Sequence, residues 1–212
     1  MSRRGIFTIK LAWENDLDSF VEMYTSFYNE LRKKQGLTPM ESSSYRKEAI
    51  AILSKDKVFI GFLNNKAVAF IRVTDRNGVF WIEELFVEKQ YRGMGIGKSL
   101  VDAAEAYVKQ HSNSTYIMVL PQDREAINFW LKMGYNILNT IELVKFLDKK
   151  EREHHILPVL GIPYRIHKWV DEQYSSLERE YLEVVGKFFE SGGTQEEFLR
   201  IVVRALKSKI ET

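Results

Sequence analysis

The sequence predicts an α/β fold, with a mixed, mostly antiparallel sheet flanked by helices and a C-terminal helical hairpin appended. Three observations carry this. Residues 58–87 alternate between β-rich runs and the turn pairs Asn64-Asn65 and Asn77-Gly78, the pattern of a three-stranded meander. Segments with a 3.6-residue apolar period stand on either side of it, so helices are available to cover a sheet. From Asp148 the character changes to a charged linker and then two amphipathic stretches separated by Ser191-Gly192-Gly193. The expected division is a sheet domain over residues 1–147 and a linker with helical hairpin over 148–212.

Taken in order, residues 6–12 read as a first strand. Asn15 or Asp16 then caps a helix whose apolar residues are Leu17, Phe20, Val21, Tyr24, Phe27, Tyr28 and Leu31. Residues 33–44 are expected to be a loop and 45–53 a short helix. The meander follows as strands 58–63, 67–73 and 79–87, with Asn77-Gly78 a strong hairpin signal because both residues tolerate positive φ. A helix over 97–110 buries Leu100, Ala103, Ala104, Tyr107 and Val108. Residues 115–120 are apolar throughout, which suggests a central strand. Asp123 caps a helix to Lys132, Gly134 ends it, and 135–138 with 141–147 are expected to form a last hairpin. Beyond the linker at 148–153, one long helix is expected to carry Ile166, Trp169, Val170, Tyr174, Leu177, Tyr181, Val184, Val185 and Phe188. Thr194 and Glu197 form a capping box for a final helix to Ile210.

Composition narrows the function. The 212 residues are 45% hydrophobic and 28% charged, an ordinary soluble balance. With 31 basic and 29 acidic side chains the net charge is +2, too even for a sequence-independent nucleic-acid binder, so no nucleic-acid partner is expected. Absence of cysteine excludes disulfides and thiolate chemistry and suits a reducing, cytoplasmic setting. Arg3-Arg4 suggests a twin-arginine signal, but Glu14-Asn15-Asp16 interrupts the apolar region such a signal needs. No apolar run approaches the ~20 residues that span a bilayer, and no membrane partner is expected. His154 and His155 are adjacent, an arrangement that rarely ligates one ion, and they are read as linker with no metal.

The segment Gln90–Ser99 concentrates Gly93, Gly95 and Gly97 between Arg92 and Lys98-Ser99. A P-loop needs a glycine where Arg92 stands, and the dinucleotide pattern needs one at Lys98. A tight strand-to-helix turn requires fewer glycines than this. What fits is Arg-x-x-Gly-x-Gly, spelled Arg92-Gly93-Met94-Gly95-Ile96-Gly97. Glycines let backbone approach an anion, and the free N–H groups of a helix N-terminus point at it. With this loop, the wider stretch 82–100 and the motif Ala126–Tyr135, the chain resembles the GNAT superfamily of N-acetyltransferases over roughly residues 5–147.

That resemblance implies a GNAT-like fold and transfer of acetyl from acetyl-CoA directly to a primary amine of an acceptor, a small molecule or a peptide or protein amine. The alternative is a non-catalytic acetyl-CoA-binding or regulatory module. It implies that Arg92, Gly93, Met94, Gly95, Ile96, Gly97, Lys98 and Ser99 form the pyrophosphate loop, with Lys98 a bystander. Leu85, Phe86 and Val87 would run along the pantetheine arm, and the Val87 N–H would polarise the thioester carbonyl. Asp123 and Trp130 occupy positions where relatives carry a cofactor-side asparagine and a tyrosine acid. Glu83 and Glu84 are the candidate catalytic bases. Neighbours on a strand face opposite ways, so at most one is expected to reach the acceptor, and Glu84 is preferred. The indole of Trp130 is no useful acid, and Met118 stands where some relatives have a glutamate. The proton for the thiolate is therefore expected from Tyr24, Tyr28, Tyr91 or water, if it is supplied at all. From Asp148 onward, 11 basic and 12 acidic residues leave a wide apolar face that must be covered, by the chain's own core or by a second copy in a homodimer.

Overall fold

The computed structural model describes residues 6–148, 150 and 152–210. Arg3-Arg4 and, in the linker, Lys149 and Glu151 lie outside them. By contacts the chain forms two compact units. One runs to Val119 and includes Phe129–Asn136, and the other combines Leu120–Asn128 with the chain from Ile137.

The first unit is built on a five-stranded sheet in chain order, β1 (Phe7–Leu11), β2 (Lys57–Leu63), β3 (Lys66–Arg76), β4 (Val79–Val87) and β5 (Thr115–Ile117). The first four are antiparallel and β5 runs parallel to β4. The meander forms as its turns dictate. Asn64, Asn65, Asn77 and Gly78 all take positive φ, and two such residues in succession match the right-handed twist of the strands they join. Helices α1 (Leu17–Lys34) and α2 (Ser42–Lys55) cover one face, where Phe20, Tyr24, Ile52, Ile60, Phe70 and Phe86 form one core. Helix α3 (Ile96–Val108) covers the other, its Tyr107 ring meeting Phe59 and Phe80.

Helix boundaries shift modestly from expectation. The Asp16 carboxylate accepts the Trp13 N–H at 3.0 Å and fixes a 3-10 turn just before α1. The chain at 115–120 differs more. Three residues pair, at the sheet edge and not its centre, and Met118, Val119 and Leu120 are exposed. The hairpin expected at 135–147 does not form a strand ladder. Its β-propensity is real, but Leu143-Val144 and Phe146-Leu147 break the two-residue alternation that a one-sided strand requires.

In the second unit the long helix expected from Ile166 is instead a hairpin followed by a shorter helix. Strands β6 (His154–Val159) and β7 (Ile162–His167) pair around Leu160-Gly161, both at positive φ. Helix α5 (Ser176–Glu190) starts where Ser175 and Glu178 make a reciprocal capping box, a Ser-x-x-Glu signal present in the sequence. Helix α6 (Gln195–Ile210) begins at the Thr194–Glu197 box, as expected. His154 and His155 are therefore strand residues and not linker. His155 Nε2 lies 2.7 Å from Glu172.

Candidate active site

The site grows from an irregularity in β4. Arg72 of β3 pairs with Glu84 while Val73 pairs with Ile82, so Glu83 is an extra residue and β4 bulges there. The bulge overturns the expectation that Glu83 and Glu84 face opposite ways. Arg72, Thr74 and Arg76 alternate on one face of β3, the α1/α2 face. Arg72 holds Glu84, with Nη1 at 3.1 Å from Oε1, and Arg76 holds Glu83 through two bonds of 3.0 and 2.9 Å. Both carboxylates thus stand on the same side, because an inserted residue shifts the strand's alternation by one.

Glu84 is 6% exposed and sits in a connected set of polar groups. The Tyr28 hydroxyl donates to its Oε1 at 2.9 Å, and Arg72 Nε donates to Asp56, at the end of α2, at 2.7 Å. Burial pushes the Glu84 carboxyl above the usual carboxylate range, against the opposing pull of Arg72 and Tyr28. Tyr28 is raised too, by burial and then by the Glu84 charge. Tyr24, edge-on to Tyr28 at 4.8 Å, is fully buried, and its hydroxyl has no hydrogen-bond partner among the described residues. Burial above all, with the Glu84 charge adding to it, raises its pKa. Of the proposed proton donors, Tyr24 and Tyr28 therefore hold their protons tightly, while Tyr91 lies beneath Lys66 at 5.6 Å.

Beyond the bulge, β4 loses one neighbour. Its parallel pairing to β5 covers Phe80, Trp81 and Ile82 and stops there. The stretch Leu85–Val87 keeps its pairing to β3 and, among the described residues, meets no strand on its other edge. This edge leads into the glycine loop.

The three glycines divide into two roles. Gly93 and Gly95 take φ of 78° and 83°, and a Cβ on either would meet nothing within 4 Å, so their backbone lies open. Gly97 is different, since a Cβ there would come within 3.3 Å of the Phe129 ring on α4 (Arg124–Lys132). It is a packing glycine. Gly95 is the N-cap of α3, which receives no side-chain cap, so the first N–H groups of that helix keep their donors for something else. Met94 is exposed and Ile96 buried.

Arg92 is held at the mouth of this loop. Its Nε donates to the Val87 carbonyl at 2.8 Å, tying the loop to the end of β4, and its Nη2 pairs with Glu30 of α1 at 2.7 Å. Lys98 pairs with Asp102 one turn on, and the Ser99 hydroxyl reaches the Gly95 carbonyl at 3.3 Å. Trp130 is 8% exposed, edge-on to Phe129 and Tyr135 at 5.2 and 5.0 Å. That is the setting of a core ring. The Asp123 carboxylate accepts the Ala126 N–H at 3.2 Å and caps α4. Sequence reasoning missed Arg72 and Asp56. The available signal was a charged residue inside the apolar run Ala67–Val73, where a side chain on the covered face must find a partner.

A bulged β4 with one free edge and a glycine turn into an uncapped helix thus stand together on one mixed five-stranded sheet. The acetyltransferase (GNAT) family model matches residues 17–135, and the chain belongs to that family. An uncharacterized N-acetyltransferase of Archaeoglobus fulgidus is 30% identical over 111 residues, 49% of this chain and 75% of the relative. One of Methanocaldococcus jannaschii is 27% identical over 137 residues, 61% of this chain, and the match spans 60% of that relative's length. Among solved structures, a possible acetyltransferase from Clostridium difficile 630 matches with a TM-score of 0.56 at 19% identity, over 68% of this chain and 99% of the other. The PaiA N-acetyltransferase from Thermoplasma acidophilum, in complex with coenzyme A, matches with a TM-score of 0.53 at 18% identity, over 64% and 93%. Among the described residues, no group of histidine and carboxylate side chains could hold a metal ion, and no helix is long and apolar enough to cross a membrane.

Proposed function

We propose that this chain is an acetyl-CoA-dependent N-acetyltransferase that acylates a primary amine, working in the cytosol. The observation that carries the reading is the loop at the end of β4. Gly93 and Gly95 leave open backbone at positive φ before an uncapped thirteen-residue helix, which is how a chain receives a phosphate without a metal. The coenzyme A held by the Thermoplasma neighbour supports the same ligand here. Arg92 meets the pyrophosphate by exchanging its exposed partner Glu30 for phosphate oxygens, while its bond to Val87 keeps the loop in register. The unpaired edge of Leu85–Val87 suits the amide-bearing pantetheine arm, and the Val87 N–H suits the thioester carbonyl.

Glu84 is the base. It takes the proton the amine loses as its nitrogen bonds to the acetyl carbon and the carbon–sulfur bond breaks. Arg72 and Tyr28 hold Glu84 in place, and water protonates the departing thiolate, since Trp130 is packed away and Tyr24 and Tyr28 are poor acids here. Three carboxylates, Glu83, Glu84 and Asp56, against the two arginines Arg72 and Arg76 leave an acidic excess that suits a cationic acceptor such as a polyamine, a lysine side chain or a protein N-terminus.

Calorimetric titration with acetyl-CoA, followed by a thiol-release screen over small amines and peptides, tests the reading. Saturable binding lost in Gly95→Glu and amine-dependent thiol release are expected. Binding without release from any amine would favour a non-catalytic acetyl-CoA module, which the burial of Trp130 suits.

A further inference from the structure

Within the second unit, α6 is a 16-residue helix with no buried residue. Its first turn is anchored. Phe198 meets Phe188 and Phe189 at ring distances of 5.9 and 5.3 Å, and Gln195 donates to the Leu160 carbonyl at 2.9 Å. Beyond that turn, Val203, Leu206 and Ile210 face solvent at 48%, 58% and 82% exposure. A lone helix of this length is marginal in water. Helix α5 has the complementary deficit. It buries Leu182 and Val185 while Leu177, Tyr181 and Val184 stay exposed on another face.

The two bare stripes share one spacing. Leu177, Tyr181 and Val184 on α5, and Val203, Leu206 and Ile210 on α6, follow one another at steps of three and four residues. That is the spacing of a helix–helix seam. Their charges are opposite. Helix α5 carries Glu178, Glu180, Glu183 and Glu190 against Arg179 and Lys187, a net −2. Helix α6 carries Arg200, Arg204, Lys207 and Lys209 against Glu196 and Glu197, a net +2. Glu183–Lys187 and Arg200–Glu196 are satisfied within their own helices. Glu180 flanks the α5 stripe within a turn of Leu177 and Val184, Lys207 flanks the α6 stripe within a turn of Val203 and Ile210, and neither has an ion partner among the described residues.

We propose that the occupant of both stripes is a second copy of this chain, with α6 of each copy lying along α5 of the other. An apolar stripe edged by a free acid on one helix and by a free base on the next is self-complementary under a two-fold axis. The exchange closes at two copies, because each supplies what the other lacks.

Light scattering on the full chain, across protein concentration and salt, is the test. Twice the chain mass is expected, falling towards one as salt rises. Val184→Glu and Leu206→Glu, both at exposed positions, each weaken the dimer by at least about thirtyfold, as loss of an interface anchor does. Acetyl-CoA binding and secondary structure, unchanged in both, exclude misfolding. Two reversals make the geometry specific: Glu180→Lys in one protein and Lys207→Glu in another. Each alone dimerises poorly, and the two associate when mixed. A monomeric parent, a dimer indifferent to Val184→Glu and Leu206→Glu, or reversed proteins that fail to associate would overturn the proposal.

Discussion

Replacing Arg72 by methionine probes the centre of the site most sharply. The side chain is 18% exposed and serves two carboxylates that are 5% and 10% exposed, Glu84 and Asp56. Methionine fills much of the same volume but leaves both acids without their cation. Removing one partner of a buried pair costs about 3–5 kcal/mol. For a chain of this size each kcal/mol moves the midpoint by about 2–4 °C, so a drop of roughly 6–20 °C is expected at neutral pH. The sign with pH follows from Glu84. Its folded pKa already lies above its unfolded value, so its contribution to stability is present below the unfolded pKa and lost as pH rises through the folded one. Without Arg72 the folded value climbs further and that window extends upward. The gap between Arg72→Met and parent must therefore open as pH rises from the ordinary carboxylate range towards neutrality. Chemical denaturation across that range measures it, and Arg72→Met with Glu84→Gln should recover part of the loss. A gap that stays constant with pH, or a double variant whose losses simply add, would refute the reasoning.

Glu84→Gln should lower amine-dependent turnover by about 10²–10⁴ while acetyl-CoA affinity holds, and turnover of the parent should rise with pH through a value above the ordinary carboxylate pKa. Kinetics over pH, with calorimetry as control, check both. Gly97→Val forces the Phe129 ring to move from a 3.3 Å approach, an overpacking cost of about 1–3 kcal/mol read by thermal denaturation. Gly95→Ala adds about 1–2 kcal/mol of backbone strain at φ 83° without any clash, and acetyl-CoA titration should show weaker binding. Trp130→Ala costs about 3–5 kcal/mol as a core truncation, while Trp130→Phe keeps turnover near the parent rate, as a packing ring and not an acid would.

The sequence exposed those parts of this protein whose physics is local. Asn64-Asn65 and Asn77-Gly78 fix the meander because positive φ at successive residues leaves few alternatives, and the order of the first unit's helices follows from their periods. The conformation of the glycine loop was equally legible, although adjacency could not reveal that the Gly97 Cα lies against the Phe129 ring. What stayed hidden depends on pairing across distance. The bulge that brings Glu83 beside Glu84 exists in the register between β3 and β4 and has no residue signature. Arg72 and Asp56 meet across 16 positions. The over-long helix from Ile166 came from reading apolar spacing through Ser175-Ser-Leu-Glu178, where a capping box was already marking the start.

The central claim is that the loop from Arg92 to Ser99 and the edge of β4 deliver an acetyl group to an amine. Mass spectrometry of an amine panel incubated with acetyl-CoA measures this directly. An acceptor heavier by one acetyl group, formed by the parent at many times the background rate and by Glu84→Gln barely above it, is the predicted result. No acetylated product with any amine, from a protein that binds acetyl-CoA saturably, would contradict it.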